Sequence, residues 1–445
     1  MTKKRGVQVR EKKDLSAKGL LKIVRGKFQE IPEWGKKKTG RIRNIDLVDE
    51  LMSALAMFSL KYPTLLAFDR AKKDPIIKNN LKNLYGINNP PSDTYMRQEL
   101  DKVDPALLRE SFLMVFAAVQ RGKLLENYRF LDGYLLAIDG TSFFKSDCVH
   151  CSDCCVKEHR DGRISYYHQV LGAVIAHPDH RQVIPLCPEL ISKQDGSDKN
   201  DCERRAAQRF FVLLKKEHPL LKLTVLFDAL SANAPTIHDI TLYGHHYIIN
   251  AKPGSNKSLF EWVDGLDLEE TTIVVGQNKY VFRFINGIPL NDTKDAPLVN
   301  FLECKAREID GKKVKEKTFT WITDQKISKD NAYLIMRGGR TRWKIENETY
   351  NTLKNQGYQF EHNFGHGKKH LTSVFALLMM LAFLIDQIQE AACGLFQTAL
   401  ATVEVRRDLW ERIRCYFFTY FVNSWEDPFV AIHKRIVVVL SVDGT

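Results

Sequence analysis

Three carboxylates stand where they could act together: Asp139 after the apolar run Tyr134-Leu-Leu-Ala-Ile138, Asp228 after Leu223-Thr-Val-Leu-Phe227, and Glu346 inside a helical stretch. Carboxylate oxygens are the ligands that Mg²⁺ and Mn²⁺ prefer. Two such ions about 4 Å apart can activate a water on one side of a phosphodiester and stabilise the leaving oxygen on the other. Two strands of one sheet that each end on an aspartate bring both groups to one place, and a helix packed on that sheet supplies the third. Periodicity alone does not select this chemistry, because strand-end aspartates more often cap turns or helices.

A second constellation is Cys148-x-x-Cys151-x-x-Cys154-Cys155, with His150 and His159 beside it. Thiolates and imidazoles at such spacing suit a tetrahedral, structural Zn²⁺, with Cys148, Cys151 and Cys154 as ligands and Cys155 or His159 as the fourth. Zinc sites usually draw on two separated pairs, so reduced thiols are the competing reading and redox chemistry the third. His168, His177, His180, His245 and His246 lie in or beside strands and read as hydrogen-bonded structural residues. His362, His366 and His370 recur every four residues, but Gly365 and Gly367 argue against a regular helix, so a loop close to DNA is expected there rather than a metal site.

The elements that must position these groups follow from hydrophobic periodicity. Residues 46–130 read as a helical domain, with a short helix capped by Ser92 or Asp93 and running to about Val103 that could enter a DNA groove; an ordinary capped helix in a bundle is the plainer reading. Residues 131–254 and 326–370 read as an α/β core. Its strands are Tyr134–Ile138, Tyr166–Ile175, Gln182–Leu186, Leu223–Phe227 and Tyr247–Asn250, with a helix at about Asp201–Lys216. Residues 255–325 read as a β-rich insertion. Helical signal resumes at Asn331, breaks at Gly338-Gly339 and runs again from about Arg340 to Gln356, where Gly357 can provide a left-handed cap. Residues 371–445 read as a C-terminal helical region.

The blocks Leu136-Ala-Ile-Asp139-Gly-Thr, Leu226-Phe-Asp228-Ala-Leu-Ser-Ala-Asn and Arg340-Thr-Arg342-Trp-Lys-Ile-Glu346-Asn-Glu resemble the three signatures of DDE transposases of the insertion-sequence-four superfamily. The likeness extends over most of residues 60–390, through Tyr166-Tyr-His-Gln169, Gln356-Gly-Tyr-Gln-Phe-Glu-His362 and Phe364-Gly-His-Gly367. It implies a ribonuclease-H-like fold with a β-rich insertion before the helix that carries the glutamate, which fits the 118 residues separating Asp228 from Glu346. It also implies that Asp139, Asp228 and Glu346 are catalytic and hold two Mg²⁺ or Mn²⁺ ions, that the substrates are transposon terminal inverted repeats and target DNA, and that a homodimer pairs two ends.

At 3.6 residues per turn Arg342 lies about 40° from Glu346, so it can share that face toward a phosphate. Lys354 points about 80° away from Glu346 and is a second candidate for touching DNA. Trp343 reads as packed core. The superfamily signature places a tyrosine three residues before the arginine and a lysine seven after the glutamate, serving contacts around a hairpin intermediate in some members. This chain has Gly339 and Leu353 there, so the resemblance carries the cleavage chemistry and leaves the hairpin route open.

Charge fits a polyanionic partner. Residues 1–43 hold fifteen Lys/Arg against four acidic residues, a surplus of +11, while the other 51 basic and 50 acidic residues nearly cancel. A basic N-terminal arm over residues 1–45 suits nucleic acid, and a solvated tail is the alternative. The N-terminus lacks the apolar core of a secretory signal, and the longest apolar run, Val374–Ile385, falls short of the ~20 residues that cross a bilayer. A cytoplasmic, nucleoid-associated protein with no membrane span is expected. Competing functions are a ribonuclease-H-like nuclease or domesticated transposase without strand transfer, and a zinc-containing DNA-binding regulator.

Overall fold

The computed structural model describes residues 15–33, 45–192, 199–310 and 313–436, so most of the basic arm lies outside the described residues. In chain order come α1 (Ala17–Glu30), α2 (Leu47–Ser59), α3 (Leu65–Ala71), α4 (Pro75–Tyr85), α5 (Asp93–Leu100) and α6 (Arg109–Arg121). The strands β1 (Arg129–Phe130), β2 (Gly133–Ser146), β3 (Cys155–Glu158), β4 (Ile164–Ala176), β5 (Ile184–Pro185) and β6 (Glu189–Ile191) follow. Next are α7 (Lys199–Glu217), β7 (Leu223–Phe227), α8 (Ala234–Leu242), β8 (His246–Asn250), α9 (Lys257–Asp264), β9 (Glu269–Val275), β10 (Asn278–Pro289), β11 (Leu298–Asp310) and β12 (Lys313–Thr323). Then come α10 (Ala332–Arg340), a π-helical turn (Ile345–Tyr350), α11 (Asn351–Asn355), α12 (Leu371–Ala392), α13 (Gly394–Val403), α14 (Arg406–Thr419) and α15 (Glu426–His433). Contacts divide the chain into two units: residues 1–125, 148–152 and 352–445, and residues 126–147 and 153–351.

The first unit is helical, and it joins N-terminal and C-terminal regions that the sequence suggests are separate. Ser16 caps α1 by accepting from the Gly19 N–H at 3.2 Å. Leu20, Leu21, Val24 and Phe28 then bury one face of that helix, as the 3–4 residue spacing of an amphipathic helix requires. Part of the expected basic arm is therefore core, because four apolar side chains outweigh the charge around them. Ser92 caps α5 as expected, although that helix stops at Leu100. Helix α12 is 22 residues long and by length and composition could cross a membrane, yet 94% of its apolar window is buried. It extends past the expected run because Asp386, Gln387, Gln389 and Glu390 are buried with it. Asp101 accepts hydrogen bonds from the N–H groups of Lys368, Lys369, His370 and Leu371 at 2.9–3.2 Å, satisfying the donors at the start of α12.

The second unit is mixed α/β, built on a twelve-stranded sheet whose main path runs β3-β4-β2-β7-β8-β12-β11-β10-β9, with β1 on β2 and β5 and β6 on β4. Strand β2 is antiparallel to β4, β2 and β7 are parallel, and so are β7 and β8. The expected insertion strands form β9–β12, but they are not a separate layer. Thr323, Ile322 and Trp321 of β12 pair with Ile248, Ile249 and Asn250 of β8, so the insertion prolongs the core sheet. Helices α8 and α9 were not expected; both are short, with little room for periodicity to show.

Two further expectations fail near the site. The helix does not break at Gly338-Gly339, since α10 runs through both to Arg340. The glycines serve packing: a Cβ on Gly339 would lie 2.4 Å from Nε1 of Trp321, which is 1% exposed. Gly339→Ala is expected to destabilise the fold by about 1–3 kcal/mol through overpacking, against the ~1 kcal/mol gain that helix propensity alone would give. Urea unfolding of the variant decides between the two signs, and Trp321→Phe should recover part of the loss. Nor is Arg340–Gln356 one α-helix. Residues Ile345–Tyr350 form a π turn, in which the Asn351 N–H donates to the Glu346 carbonyl. Gly357 does adopt a left-handed backbone, with φ +92°.

Candidate active site and metal cluster

Asp139 does not end its strand; it sits in the middle of β2, because pairing with β4 continues from Leu135↔Ala176 to Ser146↔Tyr166. What ends there is the parallel pairing with β7, whose last registered pair is Ala137↔Leu226. Continuing that register two residues sets Asp139 opposite Asp228, where the two strands part. Asp228 also does what strand-end aspartates commonly do: its Oδ1 accepts from the Leu230 N–H at 3.1 Å and caps a 3-10 turn.

Glu346 reaches the same region from the π turn. Arg342 Nη2 lies 2.7 Å from Glu346 Oε1, and Nη1 lies 4.0 Å from Asp139 Oδ2, so the expected Arg342–Glu346 face is formed. Nη1 is buried without a hydrogen-bond partner. The turn is fixed from both ends. Tyr350 donates its hydroxyl to the Asp139 carbonyl and accepts from the Gly172 N–H at 3.1 Å. Gly172 leaves the room: a Cβ there would meet the tyrosine oxygen at 2.5 Å. At the other end the buried Lys344 ammonium donates to the carbonyls of His177, Pro178 and His180. Burial lowers its pKa. A π turn inserted in a helix is often found at functional sites; here it carries Glu346 close enough to raise the pKa of Asp139.

Asp139, Gly140, Glu203, Arg204, Asp228 and Ser231 line a cleft of about 100 Å³. Glu203, from α7, approaches so closely that a Cβ on Gly140 would lie 2.5 Å from its carboxylate. No sequence signal marked Glu203, because α7 reaches the cleft only through tertiary packing. Burial pushes the Asp139 carboxyl up to about 6; Arg342 opposes the rise, while the charges of Glu346 and Asp228 add to it.

A carboxyl whose folded pKa is raised contributes stability that is fully present below its unfolded pKa and is lost as pH rises through the folded value, here from about 4 to about 6. Asp139→Asn should therefore stabilise the protein at pH 7.5 by roughly 1–3 kcal/mol and change little near pH 3.5. Thermal unfolding at both pH values checks this; an unchanged or lower Tm at pH 7.5 would refute the buried-charge account.

Two other expected residues differ from the sequence reading. Trp343 is 42% exposed and not core, because its turn sits outside the layer that Ile345 and Tyr350 bury. Lys354 is held by Glu361 at 2.7 Å. Leu353, in the place of the signature lysine, is fully buried.

The zinc expectation changes in its ligands. Cys151, Cys154, His168 and His366 form a Cys2His2 cluster whose ligand atoms all lie within 4.8 Å of one another and which could hold a metal such as zinc. Among the described residues it is the one set of three or more such side chains so gathered; the carboxylates of Asp139, Asp228 and Glu346 are not. Cys148 is exposed and outside the cluster. Cys155 is committed to the sheet, paired with Tyr167, with its thiol 3.9 Å from the Ile191 carbonyl. Their places are taken by His168 and His366, which the sequence offered as structural and loop residues. Cys155 is the first residue of β3, where its backbone pairs with β4, whereas Cys154 precedes the strand and its Sγ lies 3.3 Å from His168 Nε2.

Fold and site together define a mixed α/β chain with a carboxylate cleft that an arginine also lines, and a thiol-imidazole cluster that could hold a metal. No family model matches the chain, and no curated protein matches it.

Proposed function

We propose that this chain is a DNA transposase of the DDE type, akin to those of the insertion-sequence-four superfamily, which binds transposon ends and catalyses strand cleavage and strand transfer. The observation that carries the reading is the nearness of Asp139 to both Asp228 and Glu346, with the Arg342 guanidinium between Asp139 and Glu346, on residues whose surrounding blocks resemble the three signatures. The order β4-β2-β7-β8, antiparallel and then parallel, supports a ribonuclease-H-like core, in which β5 and β6 beside β4 take the place of the third strand.

The donor set of the cleft is carboxylate oxygen, which suits a hard divalent cation and not a soft one. Asp139, Asp228 and Glu346 would hold Mg²⁺ or Mn²⁺, and the ions when bound supply nucleophile activation and neutralisation of the charge that develops on the phosphate. The chain's own residues do the positioning. Arg342, with one buried N–H group unengaged, is placed to bind a phosphate oxygen and orient the scissile phosphodiester. Tyr350 and Lys344 keep the glutamate turn fixed against β2 and the residues after β4. Lys354 and the basic N-terminal residues would add contacts to the DNA backbone, and a homodimer would pair two ends.

The test supplies DNA carrying the sequences that flank the reading frame, a target plasmid and Mg²⁺ to the full chain. Joined products are expected. Cleavage without joining would reduce the reading to a ribonuclease-H-like nuclease, and DNA binding without cleavage would leave a DNA-binding regulator.

A further inference from the structure

We propose that α4 (Pro75–Tyr85) is the helix that enters the DNA major groove, with Lys78 and Lys82 on phosphates and Asn79 toward the base edges, an inference that rests on the reading of DNA as the substrate. The helix has two faces. Ile77, Asn80, Leu81, Leu84 and Tyr85 are buried, and Asn80 fixes that side, its amide donating to the carbonyls of Phe417 and Tyr420 at the end of α14 at 2.8 and 2.7 Å. At about 100° per residue, Lys78, Lys82, Asn79 and Asn83 share the opposite arc. Lys78, Lys82 and Asn83 are exposed and Asn79 is half-buried. No Asp or Glu lies between Pro75 and Tyr85.

Connection and charge favour this face over its neighbours. Helix α3 reaches α4 through Lys72-Lys73-Asp74, and Asp74 caps α4 by accepting from the Ile76 and Ile77 N–H groups at 2.7 and 3.3 Å. Two helices joined by so short a turn are the arrangement in which the second helix reads DNA. Beside it, Lys18, Lys22 and Arg25 of α1 recur at i, i+4 and i+7 and form one stripe. Arg25 lies against the end of α4, where a Cβ on Gly86 would meet its Cδ at 3.1 Å. Among the described residues Lys18, Lys22, Lys73, Lys78 and Lys82 enter no ion pair. Helix α5, which the sequence offered for the groove, is the opposite case: Asp93 and Glu99 outnumber Arg97, and Arg97 is paired with Asp93 at 2.6 Å. A duplex would therefore meet unneutralised lysines on α4 and α1 and carboxylates on α5. A helix about 10–12 Å across fits a major groove about 12 Å wide, and an asparagine amide matches adenine N6 and N7.

The test titrates the full chain by fluorescence anisotropy onto DNA carrying the sequences that flank the reading frame and onto shuffled DNA of the same length, over a range of salt. Lys78→Ala combined with Lys82→Ala should weaken binding to both DNAs roughly tenfold or more and lower the slope of log affinity against log salt by about two, one for each lost phosphate contact. Asn79→Ala should weaken the flanking DNA alone and so relax the discrimination between the two. Arg97→Ala with Gln98→Ala on α5 should change neither. Lys78 and Lys82 are exposed, so the variant should fold, and an unchanged Tm confirms that a loss of binding is not a loss of structure. Unchanged affinity and salt slope in the lysine variant, which would make α4 a solvated face only, or losses in the α5 variant instead, would overturn the assignment. DNA that is bound through the α4 lysines but never cut in Mg²⁺ would leave the assignment standing and remove the transposase reading.

Discussion

Asp139→Asn, Asp228→Asn and Glu346→Gln are each expected to lower Mg²⁺-dependent strand cleavage by roughly 10³-fold or more, while binding to end DNA changes little. The separation follows from where the carboxylates sit. Asp139 and Asp228 line a cleft of about 100 Å³ and Glu346 is close enough to act on the Asp139 charge; under the proposed function the three would hold the ions, whereas affinity for DNA would come from many Lys and Arg contacts along the backbone. Because the three groups act as one unit, the double variants should be scarcely worse than the singles. Arg342→Lys should cost less than the carboxylate changes and more than a surface lysine substitution, since a lysine keeps the charge and loses the planar fork. The measurement is a gel assay of nicked and joined products beside a binding titration on the same DNA. If Asp139→Asn left cleavage intact, the cleft would not be the active centre, and Asp228 would revert to its role as a turn cap.

Asp386→Asn should destabilise the helical unit by about 3–5 kcal/mol, the cost of leaving a buried charge without its partner. Lys61 Nζ lies 2.6 Å from Asp386 Oδ2, with both side chains almost fully buried. Tyr358 donates its hydroxyl to the same carboxylate, and the ammonium sits 3.5 Å and 4.3 Å from the Tyr358 and Trp410 ring centres. Burial pushes Lys61 down to about 8 and raises Asp386. A lysine with a depressed folded pKa makes stability rise with pH between that value and its unfolded one near 10.5. In Asp386→Asn the window should open at lower pH, because the carboxylate that favoured the charged lysine is gone. Urea unfolding from pH 7 to 10 reads both effects. The paired replacement Lys61→Met with Asp386→Leu should lie within about 1–2 kcal/mol of the wild type. A pair of substitutions as damaging as the single one would show that the ion pair itself, and not the orphaned charge, holds the helices.

The same pair shows why α12 misleads on composition. Its apolar length would serve a bilayer, but it buries a charged aspartate against a lysine brought from the turn after α2, and that counter-charge lies 325 residues away in the chain. Hydropathy sees the helix and not its partner.

How much of the candidate site was legible depended on how local each piece is. The apolar runs before Asp139 and Asp228 read as strands because pleated alternation and β-branched residues are local properties, and Arg342 and Glu346 read as neighbours because four residues make about one helical turn. By itself the sequence determined those four residues, the strand and helix types that carry them, and a thiol-rich loop suited to a metal. Tertiary structure alone decided the rest. The parallel register of β2 and β7 set the two aspartates opposite each other, α7 brought Glu203 to Gly140, and Trp321 took the space that makes Gly339 obligatory. Two histidines, one on β4 and one in the loop before α12, replaced the outer cysteines of the expected zinc set. Each of these depends on contacts between segments far apart in the chain, where spacing along the backbone carries no information about distance in space.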